Sequence, residues 1–506
     1  MALCATIYCR PNVAGQKAIP AHVPPQNTAS VPLPPTPTPA RTVTAVIAML
    51  AASAFVMILN ETVLSVALPP LMTEFGVGAT TIQWLTTGFL LTMAVVIPTT
   101  GYLLSRFTIR TLFIVALTLF LLGTSLAAIA PSFGVMLAAR VVQAGGTAIV
   151  MPLLMTTTLT LVPPQHRGSV MGLNSIVISV GPAIGPTLSG VVIEALGWRW
   201  VFGLMVPIAL VALIVGAILV PRLGGGGRAP LDALSVLLSL LGFGGIVTAV
   251  SSASDLAHGS LVPPIALAVG VISLVVFTIR QKRLQSTGKG PLLDLRPFKE
   301  RNFRLSVTVL TVSFGVMLGT VVVLPIYAQS GLGLTVLATG LIMLPGGITQ
   351  GVLAPVVGRL YDMLGPKPLV IPGVLIICGS QWWLSTIGPG TATSKLVAMH
   401  MTFSAGMALV QTPMMTHAMS SLPLPLYGHG SAILNTLQQL AGAAGTAALI
   451  GALAIGASLS DQDGPAAQVA GAKIAFAVGG SLVLIAVICA PFVTRHARPA
   501  EASTLS

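Results

Sequence analysis

Charge is what this chain has least of. Of its 506 residues only 7% are Asp, Glu, Lys or Arg, while 54% are hydrophobic and the mean hydropathy is +0.95. Soluble domains carry about 25% charged residues, so an ordinary soluble fold is excluded and the composition is that of a polytopic membrane protein. Acids are scarcer than bases: 11 Asp and Glu stand against 24 Lys and Arg, a formal net charge of +13. In a soluble protein that excess would suggest a nucleic-acid partner; in short loops between apolar runs it has a topological meaning instead. The four cysteines (Cys4, Cys9, Cys378 and Cys489) are too scattered for a disulfide framework, and none has the second ligand pair of a metal site. The phosphate-cradling pattern G-x-x-x-x-G-K-[ST] is missing, as is any soluble domain to house it, which argues against an ATP-driven machine. No acidic pair, metal cluster or triad lies in a loop long enough for chemistry, and His400 and His417 have no carboxylate near them in sequence. A membrane-embedded transferase is therefore a minor alternative, and no cofactor or catalytic residue is expected.

Residues 1–41 hold nine prolines and no long apolar run, which reads as a disordered cytoplasmic tail rather than a signal peptide. From Thr42 onward fourteen apolar runs of roughly bilayer-spanning length follow one another. They lie at about 43–70, 80–104, 111–130, 134–162, 168–194, 200–220, 231–252, 261–280, 305–328, 336–360, 368–388, 395–421, 429–457 and 471–494. With both termini inside, all but four of the 24 bases (Arg140, Arg199, Lys395 and Lys473) fall on the cytoplasmic side. This satisfies the positive-inside rule. The longest and most basic loop, Arg280–Arg304, interleaves Leu292, Leu293, Leu295, Phe298 and Phe303 with charges and reads as an anchor lying at the headgroups.

One acid sits well inside a span. Glu61, in Leu59-Asn60-Glu61-Thr62-Val63-Leu64, lies toward the end of the first run. An ionisable group at that depth is costly, so it should face protein or a hydrated cavity and is a functional candidate by default. Burial disfavours the charged form of a carboxylate and a nearby cation restores it, which is the property a proton carrier needs. The plainer use is a hydrogen bond for helix packing. Arg140 is the one base inside a span, with Gln143 three residues on and on the same helix face. An arginine there otherwise snorkels to an interface or pairs with backbone carbonyls.

The loop after the second run, Gly101 to Arg110 (GYLLSRFTIR), repeats after the tenth as Gly358 to Lys367 (GRLYDMLGPK). Paired motifs in corresponding positions imply two related six-helix halves with a helix pair between them and a substrate site near the midplane. These loops resemble the gating loop G-x-L-a-D-r-x-G-r-[kr] of the major facilitator superfamily. Arg140-Val141-Val142-Gln143-Ala144-Gly145-Gly146 resembles its helix 4 motif R-x-x-Q-G-x-G. Gly181-Pro182-Ala183-Ile184-Gly185-Pro186, continuing to Gly190, resembles the antiporter motif G-x-x-x-G-P-x-x-G-G, and Leu59–Pro70 resembles L-D-x-T-[IV]-x-N-V-A-L-P. Over residues 42–495 the chain is thus similar to the fourteen-helix drug:proton antiporters of the EmrB/QacA type, and its L-N-E-T-V form is similar to the lincomycin-resistance branch. It departs at Ser105, where an Asp is usual, at Thr108, where a Gly is usual, and at Asn60, which holds the family's Asp position with Glu61 one place on.

The resemblance implies an all-α polytopic protein of the major facilitator fold, with two six-helix pseudo-symmetric halves plus two extra central helices. The expected division is a 42–220 half, a 221–304 linker with two inserted helices and a basic loop, a 305–495 half and a 496–506 tail. It implies proton coupling by Glu61 and Arg140, supported by the helix 1 motif (Asn60, Thr62, Pro69) and the helix 4 motif (Gln143, Gly145). Gating falls to Gly101, Arg106 and Arg110, and to Gly358, Asp362, Gly365 and Lys367. Gly181, Pro182, Gly185, Pro186 and Gly190 form a hinge or seal, since Gly-Pro pairs bend a helix and let another backbone approach. Polar candidates for a substrate cavity are Gln350, His400, Gln411, Asn435 and Gln438. The expected activity is export of amphipathic, in part cationic, drugs in exchange for protons across the cell membrane, with no nucleic acid or obligate protein partner. Export of an endogenous metabolite or lipid by the same fold is the alternative.

Overall fold

The computed structural model describes residues 40–494 apart from 78, 83, 226–231, 253–258, 288–289 and 461–462. Of the two expected tails, 1–41 and 496–506, the second and all of the first but Ala40 and Arg41, which open the first helix, lie outside the described residues. Fourteen long helices are found among the described residues, one for each apolar run. They are α1 Ala40–Phe75, α2 Trp84–Arg106, α3 Ile109–Ala128, α4 Phe133–Leu161, α5 Arg167–Leu196 and α6, which runs Trp198–Gly203 and Met205–Leu219 with a break at Leu204. Then come α7 Ala233–Ser251, α8 Val262–Ser286, α9 Arg301–Ile326, α10 Val336–Leu364, α11 Lys367–Leu384, α12 Thr393–Ser420, α13 Tyr427–Ser458 and α14 Pro465–Cys489. Among the described residues, eleven helices are long and apolar enough to cross a membrane by length and composition.

Helix boundaries follow local chemistry. Thr108 and Thr335 each accept a hydrogen bond from an orphan N–H of the first turn of α3 and α10. The departure at Thr108 has its reason here. Its counterpart in the second loop, Gly365, takes φ +80° to end α10, whereas Thr108 is extended and starts α3.

The two six-helix halves, α1–α6 and α9–α14, repeat a helix contact that small residues make possible. A side chain at Gly185, the nineteenth residue of α5, would collide with Thr62 of α1. At Gly445, the nineteenth residue of α13, it would collide with the backbone of Gly315 in α9. Close backbone approach through small residues is how helices pack without a hydrophobic drive in lipid.

The inserted hairpin α7–α8 has its own close approach, Gly245 against Gly270, and rests on α2 through Ala94, Phe243 and Val247. At its open end Arg280 makes two hydrogen bonds to Asp232, at 2.7 and 2.9 Å. That guanidinium holds the Asp232 carboxyl down to about 2, so the clasp stays ionised at any physiological pH.

The loop that follows α8 differs from expectation. Leu292 and Leu293 do not lie at the headgroups; they are buried with Phe277 and Phe303 in the core of the C-terminal half. Two adjacent leucines hide more apolar surface inside the bundle than at its rim. Asp294 goes in with them, its buried charge met by Arg296 at 2.6 Å and by Gln285.

Contacts between the halves gather toward the end bearing the 101–110 and 358–367 loops. Thr156 pairs with Ser431 at 3.0 Å, Ser175 with Thr412 at 2.9 Å and Arg167 with Tyr427 at 2.9 Å. Tyr102, Met155, Leu159 and Met171 of the first half join Met415, Met419 and Leu422 of the second in one apolar seal. The protein is closed at that end.

The Gly445–Gly315 contact is testable. Gly445→Leu should push α13 from α9 and lower the unfolding free energy by about 1–3 kcal/mol, while Gly451→Leu, where a side chain meets open space, should not. Thermal unfolding of the two purified variants makes the comparison.

Candidate functional site: a buried cation beside an intramembrane acid

Arg140 lies eight residues into α4 and is 1% exposed, so it does not snorkel. A guanidinium buried there must find its hydration shell in protein. One terminal nitrogen donates to Asn60 Oδ1 of α1 and to Gln143 Oε1, both at 2.9 Å. Gln143 in turn donates to Thr124 of α3 at 3.0 Å, and Asn60 donates to the Met205 sulfur of α6 at 3.2 Å. The guanidinium carbon stands 4.1 Å above the Phe89 ring of α2, an attraction worth about 2 kcal/mol when desolvated. Five helices thus converge on one charge.

The sequence reading paired Arg140 with Glu61; the direct contact is Asn60, the residue at the family's acid position. Glu61 feels the Arg140 charge, yet among the described residues it forms no ion pair with it. Successive residues turn about 100° around a helix. Asn60 meets α4, Thr62 faces Gly185 of α5, and Glu61 occupies the strip of α1 between those two contacts. It is half-buried, whereas Asn60 is fully buried. Partners that sequence reasoning missed are Thr124, Phe89 and Met205: a threonine, a phenylalanine and a methionine in apolar spans carry no mark of a charge nearby. In the helix 4 motif the tight contact is at Gly146, against the backbone of Ala116 and Phe120 in α3, rather than at Gly145.

The gating loops are unlike one another. Asp362 reaches across the halves to the start of α5, where its two oxygens accept from the N–H groups of Gly168 and Ser169 at 2.8 Å and from the Ser169 hydroxyl at 2.7 Å. A carboxylate at a helix N-terminus satisfies orphan donors and opposes the helix dipole. Gly358 and Gly168 touch backbone to backbone beside it. In the first loop Ser105, among the described residues, bonds only back into its own helix, to Tyr102 O at 2.7 Å. The corresponding cross-contact is steric: Gly101 packs under His429 at the start of α13. Arg106, Arg110 and Lys367 flank these contacts at the same end.

The antiporter segment is part of one continuous helix, α5, in which Gly181 faces Ile58 and Gly185 faces Thr62; Gly190 meets open space. The side chains of Pro69, Pro182 and Pro186 lie outside the described set. Gln350 of α10 donates to Gln411 of α12 at 2.9 Å, and Asn435 bonds back to Ser431 O of its own helix at 2.8 Å. Gln438 is buried in α13. His400 is the eighth residue of α12, as Arg140 is of α4; it is buried, stacked on Phe403, with Nδ1 unpartnered among the described residues.

A bundle of two repeated six-helix halves, closed at one end and holding a charge cluster within one half, is the frame of a membrane transporter. The chain belongs to the Major Facilitator Superfamily, whose profile matches residues 50–446, and is accordingly a multi-pass membrane protein of a transporter family. It is 40% identical over 452 residues to the lincomycin resistance protein LmrB of Bacillus subtilis, covering 87% of this chain and 94% of that one. It is 30% identical over 398 residues to the multidrug resistance protein B homolog of Mycobacterium tuberculosis, covering 77% and 72%. Among solved structures it resembles the human organic anion transporter MFSD10 (TM-score 0.64, 17% identity, 90% of this chain and 100% of that one). It likewise resembles the proton:xylose symporter XylE (TM-score 0.63, 16% identity, 90% and 96%). At those identities the likeness is one of fold.

Asn60→Leu should lower the unfolding free energy by about 1.5–3 kcal/mol, the worth of a hydrogen bond to a charged group; Asn60→Asp should not. Chemical unfolding of the purified variants reads the difference. Asp362→Ala should loosen the closed end, so that a cysteine placed at Ser175 reacts faster with a water-soluble maleimide than in the parent. Equal rates would show that the carboxylate does not hold the halves together.

Proposed function

We propose that the protein is a proton-coupled exporter of amphipathic small molecules: lincosamide-like antibiotics, dyes and quaternary ammonium compounds. The observation that carries this reading is the half-buried Glu61 carboxylate beside, but not paired with, the buried Arg140 guanidinium. When Glu61 is ionised it balances that cation; when protonated it leaves Arg140 to Asn60, Gln143 and the Phe89 ring. Rocking of the halves changes the water and charge around Glu61, so a proton is loaded from one side and released to the other. Asn60 acts as the fixed ligand of Arg140, which leaves Glu61 unclamped and able to exchange.

Relatives named for lincomycin and multidrug resistance support the substrate class, as do the methionines of α4 and α12, flexible residues suited to varied apolar ligands. The basic loops favour both termini in the cytoplasm and insertion in the cell membrane. That would make the closed end cytoplasmic and the structure outward-facing. No cofactor beyond the proton gradient is required, and the cavity candidates Gln350, His400, Gln411, Asn435 and Gln438 serve substrate contact when the halves part.

Glu61→Gln should fold and insert as the parent does, yet lose pH-gradient-driven efflux from proteoliposomes. Parental efflux in that variant would remove Glu61 from the proton path. A susceptibility panel spanning the three compound classes, in cells with and without the gene, should show protection. Protection against none of them would turn the substrate toward an endogenous metabolite or lipid.

A further inference from the structure

Outside the charge cluster the molecule carries a cleft of about 860 Å³ between the end of α8 and the short helical turn Arg296–Lys299. Lys282, Arg296 and Lys299 supply charge to it, Thr278 and Ser286 supply hydroxyls, and Phe298 is an apolar wall. Arg296 is engaged by the buried Asp294. Lys282 and Lys299 are exposed, and among the described residues neither has an acidic partner. Glu300, next to Lys299 in the chain, does not line the cleft.

Thr278, Lys282 and Ser286 recur every four residues, so they share one face of α8. The same face continues upward through Val275 and Val271, which are 54% and 47% exposed. The helix is apolar and open along this side because it packs on α7 and the bundle lies behind that pair. An apolar track thus leads into a cationic, hydroxyl-lined cleft at the end of a spanning helix. The loop is held in place to form it. Leu292 and Leu293 are sunk in the core, and Asp294 is tied to Gln285 at 2.7 Å and through its own N–H to His429 at 3.2 Å.

We infer that this cleft is a binding site for an anionic phospholipid, with its phosphate between Lys282 and Lys299 and an acyl chain along Val275 and Val271 of α8. Two ammonium groups with no acidic partner among the described residues match a phosphate charge, and the hydroxyl of Thr278 supplies a neutral donor to its oxygens, that of Ser286 being donated to Arg283 O. A bound lipid bridges α8 to the 296–299 turn, and so joins the inserted hairpin to the start of α9. The site is separate from Arg140 and Glu61 and owes nothing to the transported substrate.

The full-length protein in mild detergent is titrated with phosphatidylglycerol, with phosphatidylcholine and with inorganic phosphate, reading bound lipid by native mass spectrometry and the thermal unfolding midpoint. Phosphatidylglycerol should bind and raise the midpoint, and the other two should not. The double variant Lys282→Gln, Lys299→Gln should weaken it about thirtyfold. Arg301→Gln, Arg304→Gln, which removes equal charge from neighbouring positions outside the cleft, should bind as the parent does. Undiminished binding by the lysine variant overturns the site, as does equal loss in both variants, equal binding of phosphatidylcholine, or stabilisation by inorganic phosphate alone.

Discussion

A single buried guanidinium organises the N-terminal half. Moving an ion of that size out of water costs several kcal/mol even after relaxation, and the surroundings of Arg140 offset that cost with two carbonyl oxygens and an aromatic face. Each of those groups comes from a different part of the chain, and each is fixed in turn: Gln143 by Thr124, Asn60 by the Met205 sulfur. Helix packing in this half is therefore not only a matter of small residues meeting. It is constrained by the need to keep five helices in register around one charge.

The same constraint explains why an asparagine and a glutamate stand side by side in α1. A carboxylate at residue 60 would lock directly onto Arg140. With the neutral amide there, the acid is displaced by one position and keeps electrostatic contact without a hydrogen bond. Among the described residues of the C-terminal half no charge corresponds to it: at the matching position of α12 stands a buried histidine on a phenylalanine. The two halves share a frame but divide the labour, with the ionic apparatus in the first and neutral polar pairs such as Gln350–Gln411 in the second.

Closure between the halves shows a similar inequality. One cross-contact is electrostatic, Asp362 on the N-terminus of α5; the other, Gly101 beneath His429, is a matter of shape. Replacement of the usual acid by Ser105 removes a carboxylate from the second contact, and the serine turns back to Tyr102 O. Such a pair opens by two different costs, one dependent on a charged hydrogen-bond set and one on packing.

Sequence by itself determined the number of long helices, their order, the repeat and the residues that matter as types: the runs from Thr42 on, the 101–110 and 358–367 loops, Glu61 and Arg140. Those features are written in composition and spacing, because lipid permits only helices long enough to cross it and makes any intramembrane charge conspicuous. Tertiary structure alone decided who touches whom. That Arg140 rests on Asn60, that Phe89 and Thr124 complete its shell, and that Leu292 and Leu293 leave the loop for the core could not be read from neighbours in the chain. These contacts depend on the rotation and separation of helices distant in sequence, and a shift of one residue turns a side chain about 100° away from its partner.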